Sequence, residues 1–573
     1  MIWKILPFNE ESFELVKNLD VHPIVGQLLL NRGITDPKKA EKFLFPSLND
    51  LPNPFIMKGM ERAVKRVIKA IFSREKITIY GDYDVDGITS IALIKKFFSE
   101  LGIQVDHYIP KRIEEGYGLN AEAIKSIASR GTKLLITVDC GITNVDEVAL
   151  ANSLGLEVII IDHHEVPDRL PEATILNPLQ KDCPFHFKEL AAVGVVFLFL
   201  MALRKSLREM GFFKGHPQPN LKRYLDLVAL GTVGDVVPVI GENRLFIYFG
   251  LQELQNPKRP GLKALMEKAG LPKGPFSYEE VAFRITPRLN AGGRMQKEEV
   301  PLRLLLSEDE EEALKLASEL EEANSLRQAL QERIYSEARQ MVLQMSEEPA
   351  LILASETWHE GVIGIVASKL VEEFYKPTIL IALDGDRGKG SGRGIPEVHL
   401  RELLKRCENH LMGFGGHKGA AGFKIKRDEL EAFILSFKEA LKDQLGERCP
   451  SPSLIIDMAL SLKEITPSLM EGIERLMPFG PGNPVPLFCS KEVVSIENLR
   501  VFEKNVTRFS VIGKGARHEA VLFNNSLSSL PPKAQIAFTP RKDLVEGYIK
   551  LSLEIKGVRE CKSTDSLRKG VVV

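Results

Sequence analysis

An excess of charge of either sign is missing from this chain: 76 lysines and arginines stand against 77 aspartates and glutamates, a formal net charge of -1. No bulk basicity announces a nucleic-acid partner, although a local cationic groove needs none. Cysteine is scarce. The six present (Cys140, Cys183, Cys407, Cys449, Cys489, Cys561) form no close pair, which excludes the usual zinc spacings and gives no disulfide framework. Long apolar runs are absent too. The longest, Leu190 to Leu203, falls short of the about 20 residues a membrane-spanning helix needs and reads as a buried helix. The opening Met1-Ile2-Trp3-Lys4 lacks the charged-then-apolar design of a secretory leader, so the expectation is a cytoplasmic protein with no membrane contact. What is there is an ordinary globular composition, 44% hydrophobic and 27% charged, over 573 residues. That length suggests roughly three to five domains.

Residues 1–60 are proline-rich and hold one short amphipathic stretch. From 61 to about 180, apolar runs alternate with helical patterns: Ile77 to Tyr80, a helix through Leu93 and Phe98, Val105 to Ile109, a helix, Lys133 to Val138, another helix, then Val158 to Ile161. Such alternation predicts a mostly parallel sheet covered on both faces, with ligands collecting at the carboxyl ends of its strands. This α/β unit is expected to run over 61–300, its later part mainly helical. Ser307 followed by Glu310 has the pattern of a capping box. The apolar period from Leu316 to Met345 then predicts a helix from Ser307 to Met345, roughly 55 to 60 Å long at about 1.5 Å per residue, which reads as a coiled-coil arm or, better, as a rigid strut in a connecting segment over 301–346. A smaller α/β domain is expected over 347–448, and short strands and turns over 449–573 suggest a small β-barrel.

The acidic residues are not evenly spread. Asp82, Asp84 and Asp86 follow a strand directly, in Tyr80-Gly81-Asp82-Tyr83-Asp84-Val85-Asp86-Gly87. Three carboxylates so close repel one another unless a cation sits among them. An EF-hand is excluded, because Leu93 stands where its bidentate Glu belongs. Taken alone, the segment could be a solvated acidic turn. Two further apolar runs, however, end in Asp139 and in Asp162-His163-His164, and Asp235 lies on a glycine-flanked turn after the helix through Leu227 and Leu230. A parallel sheet brings strand ends to one edge. Carboxylates and imidazoles without thiolate suit Mn²⁺ or Mg²⁺ better than structural zinc.

A second glycine-rich stretch, Gly413 to Gly422 around His417, reads as a loop whose backbone can approach a phosphate, or as a plain turn. Its glycine spacing is not that of a dinucleotide fingerprint, and Trp358-His359-Glu360 is no zincin motif because Ile363 replaces the second His. Arg112 and Tyr117 offer a cation and an aromatic for backbone and stacked base, and Arg288 and Arg294, flanking Asn290, offer guanidinium forks for phosphate, although each stretch taken alone reads equally well as ordinary surface arginines.

Asp-x-Asp-x-Asp, Val-Asp, Asp-His-His and Gly-Thr-x-x-Asp, in this order, resemble the motifs of the DHH phosphoesterase family. That resemblance implies two divalent cations, Mn²⁺ or Mg²⁺, with Asp84 and Asp86 as ligands, Asp139 as the bridge, and His163 and Asp235 on the second ion. His164 would face the scissile phosphate, Asp162 would orient the imidazoles, and Asp82 would be an additional ligand. Trp358 to Gly364, Gly390 to Arg393 and the Gly-Gly-His stretch look like the domain that accompanies DHH domains, which makes His359, Ser391, Arg393 and His417 substrate or phosphate contacts, beside Arg112, Tyr117, Arg288, Asn290 and Arg294. Pro478 to Pro484 and the strands beyond resemble the oligonucleotide-binding barrel of the RecJ-like members, with Phe502 and Phe509 read equally as stacking candidates or as core. Two positions depart from the pattern: Tyr80, where some members carry His, and Gly394, where a second Ser is expected.

The resemblance thus implies a single-stranded-DNA exonuclease running 5′ to 3′ by two-metal hydrolysis in DNA repair and recombination. A helicase and a single-strand-binding protein are the further partners it suggests for a monomeric enzyme. A hydrolase of short oligonucleotides or cyclic dinucleotides would need only the two α/β lobes, and a non-catalytic single-strand-binding scaffold would be expected to have lost metal ligands.

Overall fold

A computed structural model describes residues 2–271, 274–446, 450–502, 506–523, 530–545 and 548–560, so Cys449 and Cys561 lie outside the described residues. The chain divides into two compact units, one of residues 52–237 and 241–451, the other of 1–51, 238–240 and 452–573.

In the first unit, five parallel strands lie in the order Asp106–Tyr108, Ile77–Gly81, Leu134–Val138, Glu157–Ile161, Thr174–Leu176. The three central strands are almost wholly buried, as their continuous Ile, Leu and Val runs require of a sheet covered on both faces. Gly81 pairs with Val138 and Val138 with Ile161. The next residues, Asp82, Asp139 and Asp162, therefore leave the sheet side by side at one edge. The apolar run from Leu190 becomes helix Ala192–Glu209, buried along most of its length as expected, and among the described residues no helix is long and apolar enough to cross a membrane.

Helix Glu310–Gln344 has 35 residues, about 52 Å at 1.5 Å per residue. Its N-cap is Asp309, whose side chain accepts from Glu312 N, and not the expected Ser307. Ser307 Oγ instead donates to the Asp309 carbonyl and to Glu312 Oε2, bracing the turn before the helix. Leu316 and Leu320 are buried on its first half, and Ile334 and Ala338 pack with Leu353, Trp358 and Val366 of the smaller lobe on its second. Trp358 Nε1 donates to Glu337 of the same helix at 2.9 Å.

That smaller lobe holds a mixed five-stranded sheet ordered Leu411–Gly416, Ala420–Lys426, Arg387–Arg393, Thr378–Asp384, Leu351–Ser355. The glycine-rich stretch expected to form a loop is an antiparallel hairpin, with only His417 to Gly419 as its turn. A Cβ at Gly413 or Gly415 would meet open space. The strand is thus a bare backbone ribbon held by its ladder to the neighbouring strand.

The second unit closes a β-barrel: seven strands run from Met458–Leu460 to Tyr548–Glu560, and the last also pairs with Lys533–Val545. Residues 1–60 read as a separate segment in the sequence, but residues 1–51 are part of this unit. Strand Ile2–Ile5 pairs in parallel with Ser453–Ile456, and Leu15, Val25, Leu28 and Leu29 share one core with Leu469, Phe488, Phe509 and Phe538. Phe509 is therefore a core residue, whereas Phe502 is 50% exposed under the guanidinium of Arg508.

Candidate metal centre and phosphate cleft

Asp84 caps helix Val85–Glu100, its carboxylate accepting from the backbone N–H groups of Asp86 and Gly87. The helix N-terminus favours the negative charge gathered there. Gly87 permits the turn, since a Cβ at that position would lie 2.4 Å from the Asp82 carbonyl. Asp86 points back into the fold, where Ala192 N and Val193 N, the start of another helix, donate to its two oxygens at 2.7 and 2.9 Å. Asp139 leaves its strand with φ at +60°, a left-handed conformation that Asp tolerates better than most residues. Asp162 is fully buried; it accepts from the backbone amides of His163 and His164 and pairs with His164 Nδ1 at 2.7 Å.

These side chains converge. His163 Nε2 lies 3.3 Å from Asp139 Oδ1, 3.6 Å from Asp235 Oδ2 and 4.0 Å from Asp86 Oδ2. Asp139 with His163 and His164, Asp86 with His163 and Asp235, and Asp82 with Asp84 and Asp139 each offer three ligand atoms within 4.8 Å of one another. Among the described residues, four buried atoms here have no hydrogen-bond partner: Asp82 Oδ1, Asp139 Oδ1, His163 Nε2 and Asp235 Oδ2. Buried polar groups are normally satisfied. Lone pairs aimed at one another from four elements are the environment a divalent cation completes, and hard oxygens with imidazole fit Mn²⁺ or Mg²⁺.

The electrostatics agree. Burial, then repulsion from Asp84, pushes the carboxyls of Asp82 and Asp139 well up, and the same causes raise Asp86 to about 7. Asp235 is raised by burial and then by Asp86. His163 is lowered to about 3 by burial and by the charge of His164, so it presents a neutral ring. For His164, burial opposes protonation, but the hydrogen bond to Asp162 and the surrounding carboxylates outweigh it and raise the group to about 9. Adjacent imidazoles are thus driven to opposite protonation states.

Beside this cluster a cleft of about 1080 Å³ runs between the two lobes. Tyr117 lines it; its hydroxyl donates to the Asp139 carbonyl and lies 3.1 Å from His164 Nδ1. His417 brings its ring parallel to that of His164, centroids 6.2 Å apart. Arg112 lies over the Tyr83 ring at 4.8 Å. Arg393 donates to Ser391 Oγ and to the Gly392 carbonyl, and a Cβ at Gly364 would meet its guanidinium at 2.9 Å. Arg294 donates to the Gly361 carbonyl and is lowered to about 9 by burial and by the charges of Arg112, Arg327 and Arg393. Among the described residues none of Arg112, Arg294 and Arg393 has a carboxylate ion-pair partner. Asp82 and Asp84 act on Arg112 and Arg294 only from beyond ion-pair distance, so three crowded guanidiniums are free to take an anion.

Two expected phosphate contacts are engaged elsewhere. Arg288 pairs with Glu321 of the long helix at 2.5 Å and donates to the Arg284 carbonyl, and it does not line the cleft. Asn290 Oδ1 accepts from Val85 N, so it braces the acidic helix start. His359 lines the cleft, but its Nδ1 accepts from Gly361 N. Tyr80 is buried against Tyr108 and donates to the Gly118 carbonyl. The amides of Ala192 and Val193 escaped the sequence reading, because an apolar helix start carries no side-chain signal. Tyr83, Gln296 and Lys389 in the cleft escaped it as well.

The sequence matches the DHH family, N-terminal domain, over residues 76–232, the DHHA1 domain over 347–443 and the RecJ OB domain over 456–557. It is 39% identical to the single-stranded-DNA-specific exonuclease RecJ of Bacillus subtilis, over 91% of this chain and 66% of that protein. To the protein of that name from Salmonella typhimurium it is 35% identical, over 89% and 91%. The crystal structure of RecJ in complex with Mn²⁺ from Thermus thermophilus matches with a TM-score of 0.84 at 30% identity, covering all of this chain and 81% of the other. A parallel sheet with an acidic and imidazole edge, joined to a DHHA1 lobe, defines a DHH protein. With the RecJ barrel in addition, the chain belongs to the RecJ family.

Proposed function

We propose that the chain is a metal-dependent exodeoxyribonuclease that hydrolyses single-stranded DNA from the 5′ end. The observation that carries this reading is the set of partnerless buried atoms on Asp82, Asp139, His163 and Asp235 at one sheet edge. Asp82, Asp84, Asp86, Asp139, His163 and Asp235 would hold two divalent cations. Bound there, such ions lower the pKa of an attacking water and offset charge on both attacking and leaving oxygens. The residues of the chain do the rest. Asp162 keeps His164 protonated, so that its other ring nitrogen is an N–H donor to a phosphoryl oxygen. Arg112, Arg294 and Arg393, with Ser391 and His417, grip the phosphate and align the strand. No side chain is needed as nucleophile, and the one thiol at hand is unsuited: Cys140 is buried, and burial pushes it well up.

Segments 61–300, 301–346, 347–448 and 449–573 then divide the work into metal chemistry, strut, phosphate grip and single-strand capture, and the N-terminal segment 1–60 serves the last through residues 1–51, which share the barrel's unit. Phe502 and Arg508 are the barrel's stacking pair. A cytoplasmic monomer in DNA repair and recombination, served by a helicase and a single-strand-binding protein, completes the reading.

Digestion of strands labelled at either end, beside duplex and dinucleotide controls, tests it. Mononucleotides released first from the 5′ end of single strands are expected; hydrolysis of the dinucleotide alone would turn the assignment to a short-oligonucleotide phosphodiesterase. Arg393→Ala should weaken single-strand binding about tenfold and flatten the slope of log K against log salt by about 0.7, as loss of one phosphate contact requires. Unchanged affinity in a filter-binding titration removes Arg393 from the phosphate site.

A further inference from the structure

We infer that Asn243 is a positioning residue of the metal centre: it holds the segment Glu189–Val193, from which the backbone reaches both Asp86 and His163. The inference rests on the metal-dependent reading and deepens it. Asn243 is fully buried, and its Nδ2 donates to the Glu189 carbonyl at 2.5 Å. One residue on, the backbone of Leu190 hydrogen-bonds the His163 ring. Two and three residues further, Ala192 N and Val193 N hold Asp86 at 2.7 and 2.9 Å.

Residues 187–190 belong to no helix or strand, and Ala191 is held only as the helix N-cap, its carbonyl accepting from Gly194 N and Val195 N. Their geometry depends on tethers: Lys188 Nζ donates to the Pro178 and Cys183 carbonyls, and two neighbours in sequence supply more, Asn243 at Glu189 and, just before the segment, Glu242, whose Oε1 lies 3.2 Å from His186 Nε2. Both sit in the first turn of helix Gly241–Leu254, just after the turn that carries Asp235. The Asn243 hydrogen bond thus ties together the surroundings of Asp86, His163 and Asp235, which form one of the three ligand groups. Among the described residues, no hydrogen bond from this segment reaches the group of Asp82, Asp84 and Asp139.

The plain alternative is that Asn243 only satisfies a buried carbonyl. Its loss would then lower stability and leave metal affinity alone. A positioning role predicts a loss confined to one ion, of about 10- to 100-fold in affinity, as is usual when a residue that orients metal ligands is removed.

Mn²⁺ titration of the whole protein without DNA, by calorimetry and by electron paramagnetic resonance, separates the two. Asn243→Ala removes the donor, and Asn243→Asp keeps the shape without it. Gln180→Ala is the control, since buried Gln180 donates to the Ile175 and Asn177 carbonyls of the same unit. Melting curves in EDTA establish that each variant is folded. Expected are two ions in the wild type and in Gln180→Ala, and in both Asn243 variants one site unchanged with the other weakened 10- to 100-fold. Wild-type affinity at both sites in the Asn243 variants, or equal weakening of both in step with the loss in Tm, overturns the positioning role. A wild type that binds no Mn²⁺ overturns the metal-dependent reading itself, and the inference with it.

Discussion

Asp139→Asn is expected to abolish hydrolysis, by about 10³-fold or more, while single-strand affinity stays within about twofold. The size follows from geometry. Asp139 takes part in two of the three ligand groups, with His163 and His164 and with Asp82 and Asp84, so neither proposed ion keeps its full ligand set without it. Losing one preorganised charge partner in an enclosed site already costs about 10²- to 10³-fold. Binding survives because the guanidiniums of Arg112, Arg294 and Arg393 and the barrel are untouched. Asparagine is the informative substitution. With φ at +60°, position 139 is strained for Ala, at about 1 kcal/mol or more, whereas Asn tolerates that conformation. Removing one of several crowded carboxylates should also raise the Tm of the metal-free protein, since Asp139 is pushed up by Asp84, Asp86, Asp82 and Asp235 once burial has acted. Turnover above about one per cent of wild type in a gel assay, with normal Mn²⁺ stoichiometry, would remove Asp139 from the bridging position.

The chemistry was legible in the sequence where a regular period carried it. Strands spaced for a parallel sheet bring Asp82, Asp139 and Asp162 to one edge whatever the details of packing, and the register of Gly81, Val138 and Ile161 delivers them there. Less was legible where two local readings compete. Ser307 with Glu310 and Asp309 with Glu312 are both acceptable helix starts, and the three-dimensional turn selects the second. Glycine is a poor strand former, so Gly413 to Gly422 reads as loop. Yet in the facing strand a Cβ at Gly390 would collide with the Phe423 ring at 2.1 Å, and pairing with that strand draws the stretch into a sheet. Arginines are alike in sequence: Arg288 and Arg294 lie six positions apart, and only the distant Glu321 decides that one is neutralised and the other not. Backbone donors such as Ala192 and Val193 leave no trace in residue type at all.

Metal removal should abolish activity and make stability strongly pH-dependent. EDTA-treated protein is expected to be inactive, to regain turnover with Mn²⁺ or Mg²⁺, and to stay silent with Ca²⁺ alone, whose larger and looser oxygen shell suits neither the imidazole nor the compact ligand groups. The sign of the pH effect follows from the raised carboxyls. Asp86 is lifted to about 7, and Asp82, Asp139 and Asp235 well above their usual value, by burial and then by one another's charge. In the unfolded chain such groups titrate near pKa 3.9, roughly. Their stabilising contribution is therefore complete below about pH 4 and is lost as pH rises through the folded values, because the metal-free fold then confines mutually repelling charges. His163, lowered to about 3, works against this trend up to about pH 6.5, where the unfolded imidazole takes up a proton that the folded ring refuses, whereas His164, raised to about 9, works with it. Bound cations cancel the repulsion and displace the protons. The rise in Tm on adding Mn²⁺ should accordingly be several degrees larger at pH 8 than at pH 5.5, and metal uptake near pH 6.5 should release protons measurable as a buffer-dependent heat. Equal increments at the two pH values, with no proton release, would mean that these four carboxyls do not share a cation.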